Sequence, residues 1–171
     1  AARRERAAVR PGGPGGAALV TAALDDWQAS WDLPQVIGRR VVQARLLGPA
    51  GDVLATRELP VVLDDSPPDG VAFRDPPKLA KRGQPLALRA TAADPESGIS
   101  ELSFFLGGLT DGKPPANAVF VPGVRSAADP TTWAVSLPLP PAARGPTAVS
   151  VRAANGAGLT AYATTSVDLV D

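Results

Sequence analysis

An all-β fold, built as antiparallel sandwiches in tandem, is predicted by three observations. Apolar residues recur at every second position in short runs, the runs are separated by Pro-, Gly- and Asp-rich breakers, and part of the pattern occurs twice at a nearly fixed spacing.

In the second half the alternation is plain. Leu86, Leu88, Ala90 and Ala92 form one series, followed by Leu102, Phe104 and Leu106, then Trp133, Val135, Leu137 and Leu139, and finally Val149, Val151 and Ala153. Successive side chains of a strand point to opposite faces, so each series predicts one buried face. The intervening Asp94-Pro95-Glu96-Ser97-Gly98, Gly107-Gly108, Asp111-Gly112-Lys113-Pro114-Pro115 and Asn155-Gly156-Ala157-Gly158 supply turn residues. Short turns between amphipathic strands predict antiparallel pairing, and two packed sheets bury both inner faces.

The repeat aligns Trp27-Gln28-Ala29-Ser30-Trp31-Asp32-Leu33-Pro34 with Trp133-Ala134-Val135-Ser136-Leu137-Pro138-Leu139-Pro140, 106 residues on. After one inserted residue Gly38 matches Gly145, Val42 matches Val149, Arg45 matches Arg152, Gly51 matches Gly158 and Asp64 matches Asp171. Too little chain precedes Trp27 to supply the opening strands that precede Trp133. The expected organisation is therefore an Arg- and Pro/Gly-rich arm (1–16), a partial or reduced module (17–65), a stiff joint (66–70) and a complete sandwich (71–171). The first module is then either a reduced sandwich, the simpler reading, or one whose missing edge is supplied by an upstream segment or, through strand addition, by another polypeptide.

Composition narrows the chemistry. The 171 residues include no Cys and no His, which removes thiolate nucleophiles, cysteine-ligated metals and the commonest general base. Charge is balanced at 17 basic and 17 acidic residues, unlike the basic excess of a nucleic-acid binder. No apolar run is long enough to cross a bilayer as a helix. The chain opens on Ala and contains no Met, which predicts that its start was removed, either by processing such as signal-peptide cleavage or because the sequence is a fragment of a longer chain.

The stretches Ala92-Ala93-Asp94-Pro95-Glu96-Ser97-Gly98-Ile99, Leu102-Ser103-Phe104-Phe105-Leu106-Gly107-Gly108 and Val151-Arg152-Ala153-Ala154-Asn155-Gly156-Ala157-Gly158-Leu159 resemble the bacterial immunoglobulin-like and fibronectin type III-like repeats of exported proteins. The resemblance covers Gly70 to Asp171 well and Leu19 to Asp65 in part. It implies tandem immunoglobulin-like β-sandwiches, the first incomplete or reduced, and an extracytoplasmic setting at the periphery of the membrane. It implies no catalytic residue.

Candidate sites follow from what remains. Arg3, Arg4, Arg6 and Arg10 could meet an acidic partner or lipid headgroups, although a solvated linker is the simpler reading of the arm. Its Gly cluster follows no strand and precedes no Gly-Lys-Ser/Thr, so it is not a phosphate loop. Leu109, Val119, Phe120 and Val121 form a candidate docking patch that a further strand would explain equally well. Asp64, Asp65 and Asp69, with Asp94 and Glu96, have oxygen donors of the kind calcium takes, but they lack calcium-loop spacing and read more simply as turn formers. Trp27 and Trp133 occupy equivalent positions and Trp31 matches Leu137, which favours core roles over sugar stacking. Asp25 and Asp26 are adjacent and cannot converge on one glycosidic bond.

No catalytic, cofactor or metal residue is expected. The function expected is a non-catalytic docking subunit or segment that braces other protein subunits, such as a membrane-protein complex at the cell envelope. The alternative is a carbohydrate-binding or adhesion module.

Overall fold

The computed structural model describes residues 6–12, 20–22 and 37–171, which fall into two compact units, one ending at Asp64 and one beginning at Asp65. Every described regular element is a strand.

The first unit contains β1 (Arg6–Gly12), β2 (Val20–Ala22), β3 (Gly38–Leu47) and β4 (Val53–Leu63) in one antiparallel sheet, ordered β2-β1-β3-β4. The stretch expected as a linker arm is thus partly strand, with Arg6–Gly12 paired along β3 from Arg6↔Leu47 to Gly12↔Val41. Composition misleads here because Arg-Ala-Ala-Val-Arg can pair through its backbone, whatever the following Pro and Gly suggest. Pro11 lies beyond Val9↔Val20, the last pair with β2, where a missing N–H is tolerated.

The second unit begins with β5 (Asp69–Phe73) and β6 (Leu79–Lys81), so Asp69 and Gly70 open a strand instead of ending a joint. It continues through β7 (Leu86–Ala93), β8 (Ile99–Leu106), β9 (Val121–Pro122) and β10 (Val124–Arg125). The last strands are β11 (Thr132–Leu137), β12 (Gly145–Asn155) and β13 (Thr160–Val170). Two sheets result, ordered β10-β11-β7-β5 and β6-β13-β12-β8-β9. All pairs are antiparallel except β6 with β13.

The core lies between these two sheets. Leu86, Leu88, Ala90 and Ala92 of β7 and Leu137 of β11 face Leu102 and Phe104 of β8, Val149, Val151 and Ala153 of β12, and Val167 and Leu169 of β13. In β7 every second residue is buried, the pattern of a sheet with one solvated face. Strand β8 departs from alternation, because Leu102, Ser103, Phe104 and Phe105 are all buried. Its outer face is covered as well: Phe120, in the connection between β8 and β9, packs edge-on against Phe105 with ring centroids 5.0 Å apart.

Truncating Phe104, which is fully buried, should remove a large filled volume that its neighbours cannot all reclaim. Phe104→Ala is expected to destabilise the second unit by about 3–5 kcal/mol in urea unfolding, whereas Val119→Ala, at a side chain 76% exposed, should change stability by less than about 0.5 kcal/mol.

Candidate binding surfaces

Three loops of the second unit meet around one side chain. Asn155 closes the β12–β13 turn: its N–H donates to the Leu159 carbonyl at 3.0 Å, and its Oδ1 accepts the N–H groups of Ala157 (3.1 Å) and Leu159 (2.8 Å). Its Nδ2 donates to the Ser66 carbonyl at 2.9 Å and to Asp94 Oδ2 at 3.0 Å. At 2% exposure, Asn155 would be costly to bury unless its amide found such partners. The other oxygen of Asp94 accepts the N–H groups of Glu96 (3.1 Å), Ser97 (2.8 Å) and Gly98 (3.1 Å).

The turns flagged at Asp94–Gly98 and Asn155–Gly158 are therefore one assembly. Gly156 N donates to the Gly98 carbonyl at 3.0 Å, and a Cβ at Gly156 would lie 2.8 Å from the Ser97 carbonyl oxygen, so only glycine fits without displacement. Burial opposes ionisation of Asp94, but the Asn155 amide and the backbone N–H groups of Ser97, Gly98 and Glu96 outweigh it and hold the carboxyl below its ordinary 3.8. Asp69 is likewise used locally, its Oδ1 accepting the Gly70 N–H at 2.6 Å. Asp94 and Asp69 thus act as turn formers.

The expected apolar patch is divided. Val119 is exposed, Leu109 is half-buried and Val121 opens β9 opposite Phe104. Phe120 lies between Phe105 and the guanidinium of Arg152, which sits 4.4 Å from its ring centre and pairs with Glu101 at 2.8 Å. Arg3 and Arg4 lie outside the described residues, as do Trp27, Trp31, Asp25 and Asp26, and Arg6 and Arg10 fall in β1. Trp133 packs against the core with its indole N–H buried, and Arg125 covers its ring at 4.7 Å from the centroid. A sugar stacking on that face of the ring would have to displace Arg125. Among the described residues no helix is long and apolar enough to cross a membrane.

A surface that sequence reasoning did not locate is the outer edge of β4. This strand of 11 residues pairs with β3 from Gly38↔Leu63 to Leu47↔Val53, and among the described residues no strand pairs with its other edge. Val53, Leu54, Leu59 and Val62 are exposed, Leu59 by 61%. The hairpin β12–β13 corresponds in position: β3 and β4 begin at Gly38 and Val53, each 107 residues before the first residue of β12 and β13. There the outer edge of β13 is covered, with Asp168, Leu169 and Val170 paired in parallel with Leu79, Ala80 and Lys81 of β6.

A solved structure shares this fold. The fibronectin(III)-like modules of CbhA from Clostridium thermocellum align at 19% identity with a TM-score of 0.51, over 96% of this chain and 76% of theirs. The fold is of the fibronectin III-like type. Domains 4 and 5 of the S-layer protein SbsC (14% identity, TM-score 0.36, 96% and 70% covered) and a chimeric titin Z1Z2 tandem (18%, 0.35, 98% and 85%) also align. No family model and no curated protein matches the chain. A fibronectin III-like sandwich whose turn carboxylate is spent on backbone N–H groups presents surfaces and edges, and its fold by itself assigns no activity.

Asp94 is the member of this loop assembly whose charge can be tested. Because its folded pKa is lowered, its stabilisation is present above 3.8 and is lost as pH falls through the lower folded value. Asp94→Asn should flatten the acid limb of a Tm-against-pH curve, and Asp94→Ala should cost about 1–2 kcal/mol at neutral pH by leaving loop N–H groups without their acceptor.

Proposed function

We propose that the chain is a non-catalytic docking module, extracytoplasmic and membrane-extrinsic, that braces a larger protein assembly at the cell envelope. The observation that carries this reading is the open β4 edge. A long strand with one unpaired side and exposed aliphatic residues is a template for a further strand, and natural proteins usually blunt or cover such edges. The second unit covers the corresponding edge with β6, while in the first unit the place opposite Val61–Leu63 is available to a partner's strand.

On this reading the first module is the reduced one and receives a strand, and the second is a closed sandwich that sets spacing. Arg6 and Arg10, in the sheet, and Arg3 and Arg4 before it would add charge to the contact, with Val119 a secondary apolar contact. A role as a carbohydrate-binding module that stacks sugars on tryptophan is disfavoured by the covered ring of Trp133.

The test is native electrophoresis of the chain from its own source in mild detergent, with mass spectrometry of co-migrating proteins and hydrogen exchange across Val53–Leu63. Stoichiometric co-migration with envelope proteins and slowed exchange in β4 are expected. Val62→Pro, two residues from Pro60 and so on the same side of the strand, removes a donor from the outer edge, and should abolish co-migration and leave the second unit folded. Migration of the chain alone, or a complex in which β4 exchanges as in the free protein, would overturn the reading.

A further inference from the structure

The outer face of the β10-β11-β7-β5 sheet carries a feature the fold does not need. The Arg74 N–H donates to the Arg89 carbonyl at 2.9 Å, one position beyond the pair Phe73↔Ala90, so the two arginines stand side by side on neighbouring strands. Phe73 and Ala90 belong to the core side, which puts both arginines on the outer side. Like charges directly opposite each other in a sheet are destabilising. Neither guanidinium makes a hydrogen bond or an ion pair among the described residues, although the charge of Arg74 reaches Asp129.

These arginines line an open cleft of about 860 Å³, kept clear by the small side chains of Ala87 and Ala134. Two carboxylates complete its wall. Asp129 is fixed by Thr131 and Thr132, whose hydroxyls donate to it at 2.7 Å each. Asp75 follows Arg74 with a φ of +45°, a left-handed conformation that Asp adopts more readily than most residues.

We propose that this cleft binds the sugar acids of an acidic polysaccharide. Arg74 and Arg89 together offer a carboxylate the forked donors that suit it, and Asp75 and Asp129 can accept from ring hydroxyls of the same unit. A uronate residue presents both groups. An acidic peptide fits less well, because its acidic side chains bring carboxylates without the neighbouring ring hydroxyls that Asp75 and Asp129 could accept from. Neutral sugars lack the charge, and the cleft has no open aromatic ring to compensate. Exposed guanidiniums bind each unit weakly, so affinity should come from repetition along the polymer and should fall with salt. This site is independent of the β4 edge.

Affinity electrophoresis of the full chain through gels containing polygalacturonate, neutral galactan or polyglutamate tests it, alongside NMR titration with free galacturonate. Retardation by polygalacturonate alone is expected, with millimolar galacturonate shifting the Arg74 and Arg89 amide signals. The Arg74→Gln/Arg89→Gln double variant should bind the polymer at least tenfold more weakly and melt no lower than the parent, since it removes a like-charge contact. A Lys113→Gln/Arg144→Gln variant, matched in charge and outside the cleft, should bind as the parent does. Equal loss in that control, equal retardation by polyglutamate, or no retardation by polygalacturonate would each overturn the proposal. Free galacturonate binding as tightly per carboxylate as the polymer would overturn the polysaccharide as the source and leave a small sugar acid.

Discussion

The second unit depends on one constraint: two sheets, each apolar on one face, must close on each other without leaving a gap. The fully buried side chains that meet this demand are graded in size, from Phe104 and Leu102 on β8 to Val149, Val151 and Ala153 on β12 and Ala90 on β7. Large groups on β8 can fit only because small ones stand opposite, which is why the interior is both close-packed and intolerant of truncation. The outer face of β8 obeys the same requirement by another device. Phe105 points away from the core and would face water, but the β8–β9 connection brings Phe120 over it and Arg152 over Phe120.

Burial is non-directional, and a sandwich held by it alone would have poorly fixed ends. Asn155 supplies the directional component at one end, joining the β12–β13 turn, the Asp94 loop and the chain at Ser66 through a set of hydrogen bonds that a buried amide must make. The lowered pKa of Asp94 is another expression of that arrangement, since the same N–H groups that shape the loop stabilise its charge. Hydrogen bonds committed in this way leave Asp94 with a structural task, which is the physical reason this acidic loop does not read as a catalytic one.

Most of this core was legible in the sequence because period-two alternation reports burial directly. The four series led by Leu86, Leu102, Trp133 and Val149 fall on β7, β8, β11 and β12. What escaped notice lacks that signal. Strand β13 reads Thr-Ala-Tyr-Ala-Thr-Thr-Ser-Val-Asp-Leu-Val, and only Val167 and Leu169 are buried within it. β1 was obscured by Arg, Pro and Gly, and β5, β6, β9 and β10 are too short to show a period. The turn residues were legible as turns, but their meeting at Asn155 depends on long-range pairing. The pairing of Arg74 with Arg89 was hidden for the same reason, since residues 15 positions apart become neighbours only through the β5–β7 register.

The two hairpins show how much one edge matters. At the turn the registers correspond, Leu47↔Val53 with Ala154↔Thr160, but the irregularity at Leu46/Leu47 shifts β3–β4 by one residue thereafter. A one-residue shift exchanges the faces of a strand, so β4 cannot reproduce the burial of β13 even where the sequences correspond. In β13 the end that β6 covers is buried at Val167 and Leu169, whereas most of β4 remains exposed. Arg57, Glu58 and Pro60 interrupt the middle of that exposed edge, as charges and proline do in strands that must not pair indiscriminately. They leave Val53–Thr56 and Val61–Leu63 free of such interruption, and the second of these corresponds to the β6-covered end of β13. On the docking reading, interruptions of this kind would restrict which strands could add to an edge that exposes aliphatic residues.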